Sequence, residues 1–167
     1  KNIEYFKEIY NLANEYKLLY VKEKVFFEAA KSGSIEICQY FFDNKIKINF
    51  SKIESDIAND GSINKEIFLL ILNNVNNVIK NKLLSWSLYP SIKKKNKDLI
   101  EYLLNKNVVP NDKALIEAVF TNDIDIVEIV LKYKNDPSFV NKKSKNGTAL
   151  FIATNQNAYV EDHMNLI

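Results

Sequence analysis

Val25-Phe-Phe-Glu-Ala-Ala-Lys-Ser-Gly-Ser-Ile-Glu-Ile-Cys-Gln-Tyr-Phe-Phe42 aligns without a gap on Ala114-Leu-Ile-Glu-Ala-Val-Phe-Thr-Asn-Asp-Ile-Asp-Ile-Val-Glu-Ile-Val-Leu131, and this pair decides the fold. In each half a short apolar helix ends in a residue suited to a left-handed turn, Gly33 or Asn122. Glycine and asparagine adopt positive φ at least cost, so they close one helix and reverse the chain into the next. The second helix opens on an Ile-acid-Ile triplet in both copies.

Three further copies follow once that register is known. Ile53 to Asn74 carries Ile57-Ala58-Asn59-Asp60-Gly61-Ser62-Ile63, then Glu66 to Leu72 after a slightly longer turn. Leu83 to Lys106 has a first helix around Leu84-Ser85-Trp86-Ser87 and a second from Asp98 to Leu104, with Tyr89 to Asn96 expected as a long turn. The last copy starts Asn146-Gly147-Thr148-Ala149-Leu150-Phe151-Ile152-Ala153 and stops inside its second helix. Ala29, Ile57, Ser87, Ala118 and Ala153 take equivalent places at a spacing of roughly 28–35 residues, which indicates stacked helix pairs. Residues 22–50, 51–77, 78–111, 112–141 and 142–167 are the expected repeats of one continuous all-α domain. Before them, Ile3, Phe6, Tyr10, Ala13, Tyr16 and Tyr20 share one helical face, so residues 1–21 are expected to form an N-terminal capping helix.

These residues resemble the ankyrin repeat. Thr148-Ala149-Leu150-Phe151 is similar to the family's Thr-Pro-Leu-His opening, with proline and histidine replaced. Ala29-Ala30 and Gly33 match its middle, and Ile35-Glu36-Ile37 and Ile126-Val127 its second helix. Leu103-Leu104 with Asn107-Val108-Val109-Pro110-Asn111, and Asn44 to Asn49, match its exit. The resemblance covers residues 22–161 and implies an ankyrin-type α-solenoid of about five helix–turn–helix repeats. No copy holds the full tetrapeptide whose threonine and histidine knit neighbouring repeats in the family, so the array is expected to be degenerate, Asn/Lys-rich and less regular.

Composition narrows the function. At 167 residues and 47% hydrophobic the chain can bury a substantial core, and no apolar run is long enough to span a bilayer. It opens at Lys1 rather than Met and is expected to be part of something longer. One cysteine, Cys38, fits a reducing compartment, hence an expected cytoplasmic location, or a host cytosol for a secreted effector. Net charge is +2 and every basic residue is lysine. A nucleic-acid partner is therefore disfavoured, since the planar fork that grips phosphate is absent. The lone histidine, His163, cannot combine with Cys38 into a zinc site, and the only glycines, Gly33, Gly61 and Gly147, form no phosphate loop. No catalytic residue, metal, cofactor or small-molecule substrate is expected. The aromatics Phe26, Phe27, Tyr40, Phe41, Phe42, Phe68, Trp86 and Tyr102 fall on core positions, and Lys93-Lys94-Lys95 is expected as a solvated turn tip.

The resemblance implies where a partner protein binds. In each repeat two residues between the Ala pair and the turn point out of the concave face: Lys31-Ser32, Asn59-Asp60, Phe120-Thr121 and Asn155-Gln156. Hairpin fingers between repeats continue that face, notably at Lys142, Lys143, Lys145 and Asn146. Phe120 differs from its polar counterparts and is either an interface anchor or cover for a neighbouring turn. The expectation is a monomeric scaffold or adaptor module that binds another protein. Its alternatives are a spacer that orients an attached domain, and a weak nucleic-acid binder using the clusters at Lys93 and Lys142.

Overall fold

The computed structural model describes residues 3–15 and 22–155; Tyr16, Tyr20, Gln156 and His163 lie outside that range, as does the side chain of Ala13. Among the described residues the protein is all-α, with a single β-bridge between Ser144 and Gly147. The chain divides into two compact units, residues 1–87 and 88–167.

The first unit holds α1 (Ile3–Glu15), α2 (Lys22–Lys31), α3 (Ile35–Asp43), a 3-10 turn at Phe50–Lys52, α4 (Glu54–Asp60), α5 (Lys65–Asn74) and the start of α6 (Asn77–Lys93). Like packs on like: α2 against α4, and α3 against α5. Gly33 (φ 75°) and Gly61 (φ 67°) turn the chain between the helices of each pair. Phe26, Phe41 and Phe68 are buried at the centre with Ile57, Ile67 and Ile71. Phe26 meets the edges of Phe41, Phe42 and Phe50 at centroid distances of 5.4–5.5 Å, a geometry that adds to simple burial. On α1, Phe6 and Tyr10 pack against Tyr40 and Phe41 of α3, whereas Tyr5, Ile9 and Leu12 are exposed.

The second unit takes up α6 at Leu88 and continues with α7 (Lys97–Asn105), α8 (Asp112–Phe120), α9 (Ile124–Tyr133), the short α10 (Pro137–Val140) and α11 (Ala149–Thr154). Here α8 packs on α9 and α11, and α7 on α9. Leu99, Ile100, Leu103, Leu104, Leu115, Ala118, Ile126 and Val130 form the core. The abundant asparagines have a structural use, because short polar side chains satisfy the free amides of a helix start. Asn64, Asn96 and Asn111 cap α5, α7 and α8 by accepting from the amides of Ile67, Leu99 and Ala114.

The third helix pair departs from expectation. Tyr89 to Lys93 is not a long turn but the last part of α6, which runs for 17 residues. Pro90 has no amide to donate to the carbonyl of Trp86 four residues earlier, so the helix continues there with one backbone bond fewer. The turn proper is Lys94-Lys95-Asn96, with Lys95 at φ 56°, matching Asn122 at φ 52°. Counting back from the turn residue, the partner of Ala29 and Ala118 is therefore Ser91, which is fully buried, rather than Ser87. The expected register was off by one helical turn. Trp86 is likewise no core residue: its ring lies 5.7 Å from the Lys82 ammonium at the surface. In α11, Ala149 and Ile152 face inward while Ala153 is exposed, because the helix packs on α8 through the former pair.

Side-chain rungs link successive repeats within each unit. Lys82 pairs with Glu54 at 2.5 Å, Tyr89 donates to Glu117 at 2.8 Å, and Lys97 pairs with Asp125 at 2.6 Å; each pair is 28 residues apart. Tyr133 donates to Asn105 across the same interval. Lys97 also reaches Asp123 at 3.1 Å. The two carboxylates, Asp125 foremost, raise the lysine's pKa, and Lys97 holds Asp123 below the usual carboxylate value.

Candidate protein-binding groove

Helix α8 has two unlike faces. Ala114, Leu115, Ala118 and Val119 are buried. Lys113, Ile116, Glu117 and Phe120 recur at i, i+3, i+4 and i+7 and form the other stripe. Tyr89 arrives from α6, and its hydroxyl donates to Glu117 Oε2 at 2.8 Å. That bond is the main cause of a raised Tyr89 pKa, with burial and the carboxylate's charge adding to it. The phenol thus remains a donor at neutral pH.

The facing wall is the finger between α10 and α11. Asp136 caps α10 through the Phe139 amide, and Phe139 is buried beneath the Lys134 ammonium, 4.7 Å from its ring centre. The finger tip closes through reciprocal backbone bonds between Ser144 and Gly147 of 2.9 and 3.2 Å. Gly147 has φ 106°, and a Cβ there would come within 2.5 Å of the Phe151 ring, so no other residue fits without a shift. Thr148 then caps α11 by accepting from the Phe151 amide.

Between α8 and this finger lies an open groove of about 470 Å³. Its apolar surface comes from Tyr89, Ile116 and Phe120, and among the described residues its rim carries Lys113, Lys142, Lys143 and Lys145 around a single carboxylate, Glu117. Phe120 is 40% exposed and Tyr89 38%. A larger groove of about 820 Å³ runs between α2 and α4, but its lysines Lys22, Lys24 and Lys52 are matched by Glu23, Glu28 and Asp56. Volume favours that groove; charge and exposed aromatic surface favour the one beside Phe120.

Five residues expected at a partner surface, Phe120, Lys142, Lys143, Lys145 and Asn146, come together in this groove. Thr121 does not: it is buried, and its hydroxyl donates to the Ala118 carbonyl at 2.6 Å. Asn155 sits at the end of α11, its amide bonded to the carbonyls of Phe151 and Ile152; Gln156 is outside the described residues. In the first unit Lys31 lies 3.7 Å from Asp60, the Ser32 hydroxyl donates to the Ala29 carbonyl, and Asn59 is exposed. Sequence reasoning missed Tyr89 of α6, and also Lys113, Ile116 and Glu117, although the stripe these last three share with Phe120 on α8 was there to read. It read Lys93 and Lys94 only as a turn tip or a weak nucleic-acid cluster, whereas the corrected register places them level with Lys31-Ser32 and Phe120-Thr121; both are exposed.

Among the described residues no helix is long and apolar enough to cross a membrane, and no group of three or more His, Cys, Asp or Glu is arranged to hold a metal. Helix pairs joined by left-handed turns, with a finger ahead of α11, define a class: the helical repeat proteins. No family model matches the chain, and no solved structure matches it. It is 31% identical over 114 residues to an ankyrin repeat protein of Acanthamoeba polyphaga mimivirus, a match that covers 64% of this chain and 99% of the relative. The chain belongs to the ankyrin repeat family.

Proposed function

We propose that the chain is a protein-interaction module, a scaffold or adaptor element, which holds a partner in the groove between α8 and the finger of residues 142–146. The observation that carries this reading is the exposed Phe120 ring among lysines of a preformed groove. None of these side chains is needed to build the core behind them. An aromatic residue held open on a rigid frame is the usual form of an interface anchor. In the unit of residues 1–87, Lys31, Ser32, Asn59 and Asp60 are proposed contacts of the same kind, with Lys31 and Asp60 already paired to each other. Ankyrin membership supports a binding role over catalysis.

A photo-crosslinking amino acid tests the reading directly. Placed at position 120 and, separately, at Lys132 on the exposed side of α9, it is irradiated in lysate of the source cell. A discrete protein adduct from position 120 and none from position 132 is expected. Equal labelling from both positions, or none from either, would refute the groove as a partner site.

A further inference from the structure

We infer that the groove beside Phe120 takes an acidic segment of its partner, with one or two apolar side chains inserted between carboxylates. The inference rests on the protein-binding reading above and specifies the partner's chemistry. Charge complementarity carries it. Among the described residues, four lysines face one glutamate around the groove, whereas the whole chain has a net charge of only +2, so positive charge is concentrated here. The one carboxylate is already engaged: Glu117 accepts the Tyr89 hydroxyl at 2.8 Å. No acidic side chain among the described residues lies within ion-pair reach of Lys113, Lys143 or Lys145. Among the described residues, then, no carboxylate competes for those three ammonium groups.

The groove's shape decides what else the partner must bring. Phe120, Tyr89 and Ile116 offer apolar surface between the lysines. A volume of about 470 Å³ is the size of a small-ligand site and receives a couple of side chains rather than a folded face. Burying an apolar side chain against the two exposed rings supplies the non-directional part of the binding, and the lysines select and steer the acidic flanks. A nucleic acid fits less well. Its phosphates would meet Glu117 in the groove, the chain has no arginine to grip them, and four lysines make too short a track for salt-resistant binding. The balanced groove between α2 and α4 has no such preference, with three lysines against three acids.

The test uses short fluorescein-labelled peptides and fluorescence anisotropy with the full chain. One peptide has a Leu-Phe pair flanked by Asp and Glu; a second has the same pair flanked by Ser; a third keeps the acidic flanks around Ser-Ser; oligouridylate is the fourth probe. The acidic Leu-Phe peptide is expected to bind about tenfold to a hundredfold more tightly than either peptide control, with an advantage that shrinks as salt rises. Phe120→Ala should weaken it by about tenfold or more. So should the combined Lys113→Gln, Lys143→Gln and Lys145→Gln variant, whose exposed positions leave the core untouched; unchanged circular dichroism confirms its fold. Equal binding of the Ser-flanked peptide, or tighter binding of oligouridylate, would overturn the inference. If no peptide binds while crosslinking from position 120 still captures a protein, the acidic partner is wrong and the protein-binding reading stands.

Discussion

Glu54 occupies a position that the other first helices fill with Phe26, Leu88 and Leu115, seven residues before the turn residue, and all three are buried. Its side chain is 11% exposed, Oε1 pairs with Lys82 at 2.5 Å, and Oε2 is buried without a hydrogen-bond partner. Removing one member of a fully buried ion pair costs about 3–5 kcal/mol, because a charge is left uncompensated. The Lys82 side chain is 42% exposed, so water shares in the pairing. We therefore expect Lys82→Met to cost about 1–3 kcal/mol. Glu54→Leu acts in the opposite sense: it removes the desolvated carboxylate, releases Lys82 to solvent and restores the apolar pattern. That change should be neutral or stabilise by up to about 2 kcal/mol. In the double variant Lys82→Met should then cost almost nothing, within about 0.5 kcal/mol, since its partner is gone. Equilibrium urea unfolding followed by circular dichroism measures all four proteins. Trp86 fluorescence is unsuitable, because the Lys82 ammonium lies over that ring. If Glu54→Leu destabilised by more than about 1 kcal/mol while Lys82→Met did nothing, the register that aligns Glu54 with Phe26, Leu88 and Leu115 would be refuted.

Three further outcomes follow from local geometry. Lys95 sits at φ 56° in the third turn, so Lys95→Gly should raise stability by about 0.5–1 kcal/mol in the same urea assay, the relief of a strained side chain less glycine's entropy. Gly147→Ala should cost about 1–2 kcal/mol and loosen the finger, seen as faster hydrogen exchange at the Ser144 and Gly147 amides, because its Cβ meets Phe151 and its φ is 106°. Burial pushes the Cys38 thiol up from 9.0 to about 12. The unfolded thiol ionises first, so its contribution to stability is whole below about pH 9 and declines towards pH 12. Cys38→Ala should lack that alkaline decline, and native Cys38 should resist iodoacetamide at neutral pH.

Much of the fold was legible because its signals are local. Gly33, Gly61 and Asn122 mark turns by their ease at positive φ, and all three occupy it. Apolar spacing identified the packed faces of α2, α3, α8 and α9. The third pair was misread for an equally local reason: Pro90 and three lysines look like a loop when neighbours are ignored. Packing overrode that signal, because Leu88, Ser91 and Ile92 gain burial only if α6 continues past Pro90. The candidate groove was half legible. Phe120 stood out as an aromatic where its counterparts are polar, and the finger lysines followed from family likeness, but Thr121 turned its hydroxyl inward to Ala118.

By itself the amino-acid sequence determined the all-α class, the helix pairs of residues 22–43, 54–74 and 112–133 and the turns within them, since each depends on contacts within about one helical turn or on a repeating pattern. Only the tertiary structure decided the register of the third pair and the pairing of residues 28 apart, such as Tyr89 with Glu117. It alone brought Phe120 of α8, Tyr89 of α6 and the lysines of the 142–146 finger to one groove. The physical reason is the same in each case: side chains distant in sequence meet only when neighbouring repeats pack, and no local preference encodes which will face which.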